Sequence, residues 1–290
     1  MNIDYDSLFC FVDDFYKGFE QPWYKKSLLT CGAKKRNREC KMSLSEIITI
    51  LIAFHQSGMA CFKYYYLELM RDYRNLFNYL VHYDRFVALI KLAFPALICL
   101  LKTLEGRVTE YLFIDATPMA VCHNLREKRH KVFKRLAKKG KTSTGWFFGF
   151  KLHFIFNTYG EIVRMQITGG NIEDRSPVMT LVKDISAKLV GDKGYISKTL
   201  SAELFNQNVT LITKIKKKMK NCLMDMTDKM MLMKRSFIET IFSSIKLLGT
   251  LIHHRHRSPV NAFTHLFAGL ISYQIREDKP SLHQLLKLNP

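Results

Sequence analysis

Two short apolar, β-branched runs in this chain each end in an aspartate, and that pairing constrains the fold more than any other feature. Tyr111-Leu112-Phe113-Ile114 leads into Asp115, and Lys188-Leu189-Val190-Gly191 leads into Asp192. Runs of this length and composition read as buried strands. A third acid, Glu239, lies in Arg235-Ser-Phe-Ile-Glu-Thr-Ile-Phe-Ser-Ser-Ile-Lys246, where the apolar residues recur at helical spacing. Two strand-end aspartates and a helix glutamate can converge on one point.

The order of elements around these acids predicts the architecture. Residues 1 to about 105 read as helical. Ser43-Leu44-Ser45-Glu46 is a capping-box pattern ahead of Ile47, Ile48, Ile50, Leu51 and Phe54, with Gly58 as a stop. Further helical stretches are expected from Phe62 to Leu80 and from near Asp84, interrupted at Pro95. Beyond residue 106 the pattern changes. Glu110 to Val121, Phe147 to Asn157 and Glu161 to Thr168 read as strands, the last two joined by a Tyr159-Gly160 turn. Pro177 to Leu189 reads as a helix, Leu189 to Asp192 as a strand, Lys198 to Asn206 as a helix and Val209 to Ile215 as a strand. Arg235 to Leu248 and Ser258 to Arg276 read as helices, the second opened by Pro259 at its first position. Three strands, helix, strand, helix, strand, helix is the order of a ribonuclease H-like core, a mixed sheet flanked by helices. The expected organisation is an α/β chain: an all-helical, helix-turn-helix-like region at 1–105 and the ribonuclease H-like domain at 106–290.

Charge narrows the partner. With 45 Lys and Arg against 25 Asp and Glu the formal net charge is +20, an excess that favours a polyanion, most commonly nucleic acid. His123 to Thr144 concentrates it: Arg126, Lys128, Arg129, Lys131, Lys134, Arg135, Lys138, Lys139 and Lys141 face only Glu127, nine positives less one negative, a local excess of eight. This segment is expected to be a basic loop beside Asp115 that contacts backbone phosphates. Lys34-Lys35-Arg36-Asn37-Arg38 gives the helical region a basic loop of its own, compatible with DNA contact. No uncharged apolar run reaches about 18 residues, so no spanning helix is indicated. The acidic N-terminus is not a secretory signal. Seven scattered cysteines without a Cys-x-x-Cys pair point to a reduced, cytosolic protein. Lys214 to Lys234, rich in Lys and Met, reads as a mobile connection, and His253, His254 and His256 among Arg255 and Arg257 as a basic, DNA-facing turn.

The acids suit phosphodiester chemistry. Carboxylates are the ligands of Mg²⁺, a hard ion that prefers oxygen, and two such ions about 3.5–4 Å apart can clamp the attacking and leaving oxygens at phosphorus. Arg235, four residues before Glu239, and Lys246, seven after it, share its helix face and could grip substrate phosphates. Each acid alone has a bland reading: Asp115 and Asp192 as turn residues, Glu239 as an i,i+4 partner of Arg235. Their joint occurrence with the strand order and the charge favours a metal site.

The chain resembles the bacterial insertion-sequence transposases of the DDE type, most closely the insertion-sequence 982 group. The resemblance covers nearly all of it and rests on Phe113-Ile114-Asp115-Ala116-Thr117-Pro118, Gly145-Trp146-Phe147-Phe148-Gly149-Phe150-Lys151-Leu152-His153, Gly191-Asp192-Lys193-Gly194-Tyr195, and the helix with Arg235, Glu239 and Lys246. That helix in the family reads Tyr, two residues, Arg, three residues, Glu, six residues, Lys; Leu232 stands at the tyrosine position here. The resemblance implies Asp115, Asp192 and Glu239 as a metal-binding catalytic triad, Mg²⁺ (with Mn²⁺ as substitute) as cofactor, and double-stranded DNA as substrate, both the terminal inverted repeats of a mobile element and its target. It further implies recognition by the N-terminal helices, a homodimer or larger assembly on DNA, and a bacterial cytoplasmic, nucleoid-associated setting. The competing readings are a nuclease of the same fold without strand transfer, a transposase-derived DNA-binding protein without catalysis, and a generic basic RNA-binding protein.

Overall fold

The computed structural model describes residues 3–30, 41–77, 79–142, 145–215, 223–248 and 256–282. The basic stretch at 34–38 and His253 and His254 lie outside them. The chain divides into two compact units. One comprises the residues up to Leu104 with Leu247, Leu248 and His256–Ile275, and the other Glu105–Lys246 with the residues from Arg276 on.

The first unit is helical: α1 (Tyr5–Thr30), α2 (Leu44–Gln56), α3 (Phe62–Asp72), α4 (Tyr83–Leu89), α5 (Phe94–Thr103) and a helix late in the chain, Pro259–Gln274. The capping box forms as expected. Glu46 N donates to Ser43 Oγ at 3.1 Å, and Ser43 N donates to Glu46 Oε2 at 2.6 Å. From Ser45 to His55 every residue of α2 is buried, which suits a helix apolar nearly all round. Tyr83–Thr103 is long and apolar enough to cross a membrane by length and composition. It is broken by a 3₁₀ turn at Ile90–Ala93 with Pro95 following, and Phe86, Leu89, Ile90, Ala93, Leu97 and Leu100 are buried within the protein. His256, expected in a DNA-facing turn, stacks instead on buried His265, ring centroids 4.9 Å apart. Its ring is partly buried by this contact.

The second unit is a mixed sheet with helices. Its strands are β1 (Tyr111–Cys122), β2 (Lys138–Thr142), β3 (Gly145–Asn157), β4 (Ile162–Gly169), β5 (Ala187–Gly191) and β6 (Val209–Thr213). The order across the sheet is β2-β3-β1-β5-β6, with β4 also on β3. β1, β5 and β6 are parallel, whereas β3 is antiparallel to β1, β2 and β4. The β3–β4 hairpin turns where expected, at Gly160, whose φ of 76° a side-chain-bearing residue rarely adopts. α6 (Val178–Leu181) and α7 (Lys198–Asn206) bury Val178, Leu181, Leu200 and Leu204 with Leu112, Ile114, Ile155 and Leu189. Alternation along β1 sends Phe113 the other way, against Phe237 of α9 (Phe237–Leu247) at 4.8 Å between centroids.

Three expectations need correction. The helix expected over 177–189 is one turn long. It ends at Leu181, and the chain reaches β5 through Asp184, held at φ 60°, a conformation aspartate tolerates better than most residues. The basic segment is not a loop beside Asp115. It forms a 3₁₀ turn at Asn124–Arg129, a turn around buried Phe133 and Ala137, and strand β2. It starts after the end of β1, and Lys139 pairs with Phe148 whereas Asp115 pairs with Phe154. Six residues of strand separate them, about 20 Å. Of the segment Lys214–Lys234, residues 216–222 lie outside the described chain, but its second half is α8 (Met226–Met233), capped by Asp225 and tied to the sheet. Asp228 Oδ1 accepts from Tyr111 Oη at 2.6 Å and from Lys188 Nζ at 2.9 Å. A helix that buries only Leu232 carries little periodicity to read.

Candidate active site

Parallel strands leave their carboxyl ends as a natural crevice. β1 pairs with β5 only from Tyr111 to Phe113, and β5 stops at Gly191. Asp115 thus emerges just past the end of the ladder, on a strand that runs on to Cys122, and Asp192 lies one residue beyond β5. The motif around Asp192 is shaped by Gly191. A Cβ there would lie 3.2 Å from Ile114 Cγ2 and from Tyr195 Cδ2, closer than most real contacts. The absent side chain lets the chain make a 3₁₀ turn over Lys193–Tyr195, with Tyr195 N donating to Asp192 O at 3.0 Å, and brings the tyrosine ring back under the strand end.

Arg235 joins the two aspartates. Its Nη2 donates to Asp115 Oδ2 at 2.8 Å, and its Nη1 stands 3.9 Å from Asp192 Oδ1. The first contact is a charge-assisted hydrogen bond and the second a looser electrostatic pairing. Asp115 Oδ1 also accepts from Ala116 N at 2.8 Å. Burial raises the Asp115 pKa; Arg235 and the amide pull it back, and Asp192 and Asp174 push it up again. Asp192 is the exposed member, with 58% of its side chain open to solvent.

Further polar groups surround the pair: Lys151 and His153, which belong to the motif quoted above, and Asp174, which the sequence did not single out. Asp174, in the loop before α6, lies close enough to act on Asp115, His153 and Tyr195. Lys151 Nζ is 3.0 Å from Asp174 Oδ1, in ion-pair range but out of line for a hydrogen bond, and donates to Ile172 O at 2.9 Å instead. His153 is fully buried, its Nε2 2.8 Å from Thr168 Oγ1, and burial lowers its pKa to about 4. Gly-Asn-Ile-Glu-Asp174 carries no β-branched run or helical period, the signals that located the other acids.

The other expected residues stand apart. Glu239 is exposed in the first turn of α9, and among the described residues its carboxylate makes no hydrogen bond, while its main-chain carbonyl accepts from Ser243 Oγ at 2.8 Å. Lys246 is exposed two turns further on. Among the described residues no three His, Cys, Asp or Glu side chains gather closely enough for a metal ion, so the structure brings together two of the three expected ligands. Arg126, Arg129, Lys131, Lys134, Arg135, Lys138 and Lys139 are all exposed on the β2 arm. With them stands Trp146, 55% exposed, with Lys139 Nζ 5.3 Å and Lys141 Nζ 5.6 Å from its ring centre.

The donor chemistry fits a divalent cation in one respect. Asp115 and Asp192 are hard oxygen donors that already share a cation, the guanidinium of Arg235, and the buried hydroxyl of nearby Tyr195 has no hydrogen-bond partner among the described residues. A metal held here would need Glu239 or Asp174 to close in as a third ligand.

Comparison with known proteins is consistent with this geometry. No curated protein matches the chain. The solved cryo-EM structure of a piggyBac transposase synaptic complex with hairpin DNA is similar over 83% of this chain and 68% of that one, at 11% identity and a TM-score of 0.47, a likeness too slight to assign any residue a role. The family model described as a transposase DDE domain matches residues 105–259, which is 155 of 290 positions. Its match spans both aspartates, Arg235, Glu239 and the β2 arm. Covering more than half of the sequence, it establishes that the chain belongs to the transposase DDE domain family.

Proposed function

We propose that this protein binds the terminal inverted repeats of a mobile element and catalyses metal-dependent DNA cleavage and strand transfer, as a bacterial insertion-sequence transposase closest to the 982 group. The observation that carries this reading is the pair of desolvated and exposed carboxylates, Asp115 and Asp192, at the carboxyl ends of β1 and β5, sharing one cation. With inserted β2 set aside, the strand order β4-β3-β1-β5-β6 supports a ribonuclease H-like core.

In this reading Asp115 and Asp192 hold Mg²⁺, or Mn²⁺ in its place, and Glu239 reaches in from α9 as the third ligand. The cation, when bound, supplies charge neutralisation at phosphorus and an activated water or 3′-hydroxyl. The chain's own groups do the rest. Arg235, displaced from the aspartates, and Lys246 hold phosphate oxygens. The cations of the β2 arm bind the DNA backbone, and the helices of the first unit read the repeat. Hydrolysis breaks a phosphorus–oxygen bond and leaves a 3′-hydroxyl. In strand transfer that oxygen bonds to a target phosphorus as the target's own 3′ oxygen leaves. Two such ends are paired by a dimer or larger assembly.

The deciding experiment is cleavage of a labelled duplex bearing the flanking inverted repeat in Mg²⁺, wild type against Asp192→Asn. Cutting at the repeat end, abolished by chelator and by the substitution, and followed by joined products, supports the proposal. Cutting without joining favours a nuclease. Repeat-specific binding without cutting favours a transposase-derived DNA-binding protein. Binding indifferent to the repeat sends the function to general nucleic-acid binding.

A further inference from the structure

Tyr195 is 3% exposed, and its hydroxyl is shut off from solvent without a hydrogen-bond partner among the described residues. A buried tyrosine hydroxyl normally finds a partner, because leaving one unmade forfeits the hydrogen bond it had with water. The ring packs with Ile114, Leu200 and Leu204 in the core, so apolar contact accounts for the ring and not for the oxygen. The charged groups that act on this phenol are Asp115, Asp174, Arg235 and Asp192, the members of the site itself. Its hydroxyl donates to none of these three carboxylates, and it is Arg235 that donates to Asp115 and faces Asp192. Asp174 Oδ1 is also buried without a hydrogen bond, although Lys151 Nζ stands 3.0 Å from it.

We propose that Tyr195 is a positioning residue whose hydroxyl is reserved for an acceptor oxygen in the coordination shell of a divalent cation held by Asp115 and Asp192. The inference rests on the cation site proposed above. When a cation takes the place of the Arg235 guanidinium, the oxygen it carries meets a donor already oriented by a packed ring. That oxygen belongs either to water or to a DNA phosphate. The substitution Tyr195→Phe deletes the donor and keeps the ring.

The test uses the full chain, wild type and Y195F, and two readouts other than turnover. The first is thermal unfolding in chelator. Removing a hydroxyl that has no partner leaves the midpoint unchanged or raises it by a few degrees. The second is Mn²⁺ affinity by calorimetry, with and without repeat-end DNA. The substitution is expected to weaken Mn²⁺ binding about tenfold, the worth of one hydrogen bond. Weakening without DNA identifies the acceptor as water, and weakening only with DNA identifies it as phosphate. A lowered midpoint in chelator with unchanged Mn²⁺ affinity overturns the proposal, since the hydroxyl would then be structural. Unchanged affinity in both arms overturns it as well, while leaving the cation site standing. Wild type that takes up no Mn²⁺, and is indifferent to Asp115→Asn, removes the site itself and the role of Tyr195 with it.

Discussion

Arg235 reaches Asp115 across 120 residues of sequence with a 2.8 Å charge-assisted hydrogen bond, and the same guanidinium faces Asp192 at 3.9 Å. The arginine that spacing alone could have paired with Glu239, four residues along the same face, is instead the counter-ion of the two aspartates. Without it they would repel each other in a partly desolvated place.

The first prediction follows from that relationship. Arg235→Gln leaves Asp115 and Asp192 without their cation and is expected to destabilise the second unit by about 1–3 kcal/mol. A divalent cation should restore what the substitution removes. Thermal unfolding with and without millimolar Mg²⁺ measures this, and Mg²⁺ should stabilise Arg235→Gln more than wild type. Equal responses would mean that the arginine and the metal do not compete for one place.

Asp115 must be ionised to hold a cation, and its pKa is raised, chiefly by burial, above the ordinary 3.8. Below the folded-state pKa the carboxyl is neutral and binds metal poorly. Mn²⁺ affinity should therefore fall on acidification at a pH higher than an ordinary aspartate would give. The same shift means the folded state holds this proton more tightly than the unfolded chain. Its contribution to stability is fully present below pH 3.8 and is lost as pH rises through the folded value. Calorimetric titration over a pH series locates the acid limb, and a limb centred at or below pH 3.8 would contradict the burial argument.

His153 runs in the opposite sense. Its folded pKa is about 4 against an ordinary 6.5, because burial disfavours the charged ring. The unfolded chain takes up the proton first, so the stability it contributes is present above pH 6.5 and lost as pH falls toward 4. A shift of that size amounts to about 3 kcal/mol. His153→Gln, which keeps a polar group within reach of Thr168, should flatten the decline between pH 6.5 and 4 in chemical denaturation curves.

The β2 arm offers an electrostatic test. If Lys134, Arg135, Lys138 and Lys139 each neutralise a phosphate, replacing all four by alanine should reduce the slope of log affinity against log salt by about 3–4. Trp146→Ala should leave that slope alone and weaken binding to DNA with unpaired bases, since an exposed indole stacks on bases with little regard to sequence. Filter binding over a salt series separates the two. A slope unchanged by the fourfold substitution would place the DNA elsewhere.

How much of this was readable in advance depends on how far each feature rests on local pattern. The Asp115 and Asp192 strands were legible because apolar, β-branched runs announce burial, and Ser43–Glu46 because a capping box is local chemistry. Strand β2 was not, since Lys-Lys-Gly-Lys-Thr has almost no apolar content and is a strand only because β3 supplies the ladder. α8 was missed for a related reason: what anchors it is Asp228 on Tyr111 and Lys188, a contact between distant segments. Asp174 carries no periodic signal at all, and its proximity to Asp115 exists only once β4 and β1 have both packed on β3.

The ladder of β1 on β3, with one register shift between Ala120 and Cys122, turns strand length into a ruler. Asp115 lies near one end and the β2 arm pairs with the other, about 20 Å away through six residues of extended chain. Stacked bases rise about 3.4 Å each, so under the proposed function a duplex laid along this ladder would be gripped about six base pairs from the point of cleavage. Lengthening both strands by two residues preserves which side chains face in, and moves the grip outward by about two base pairs.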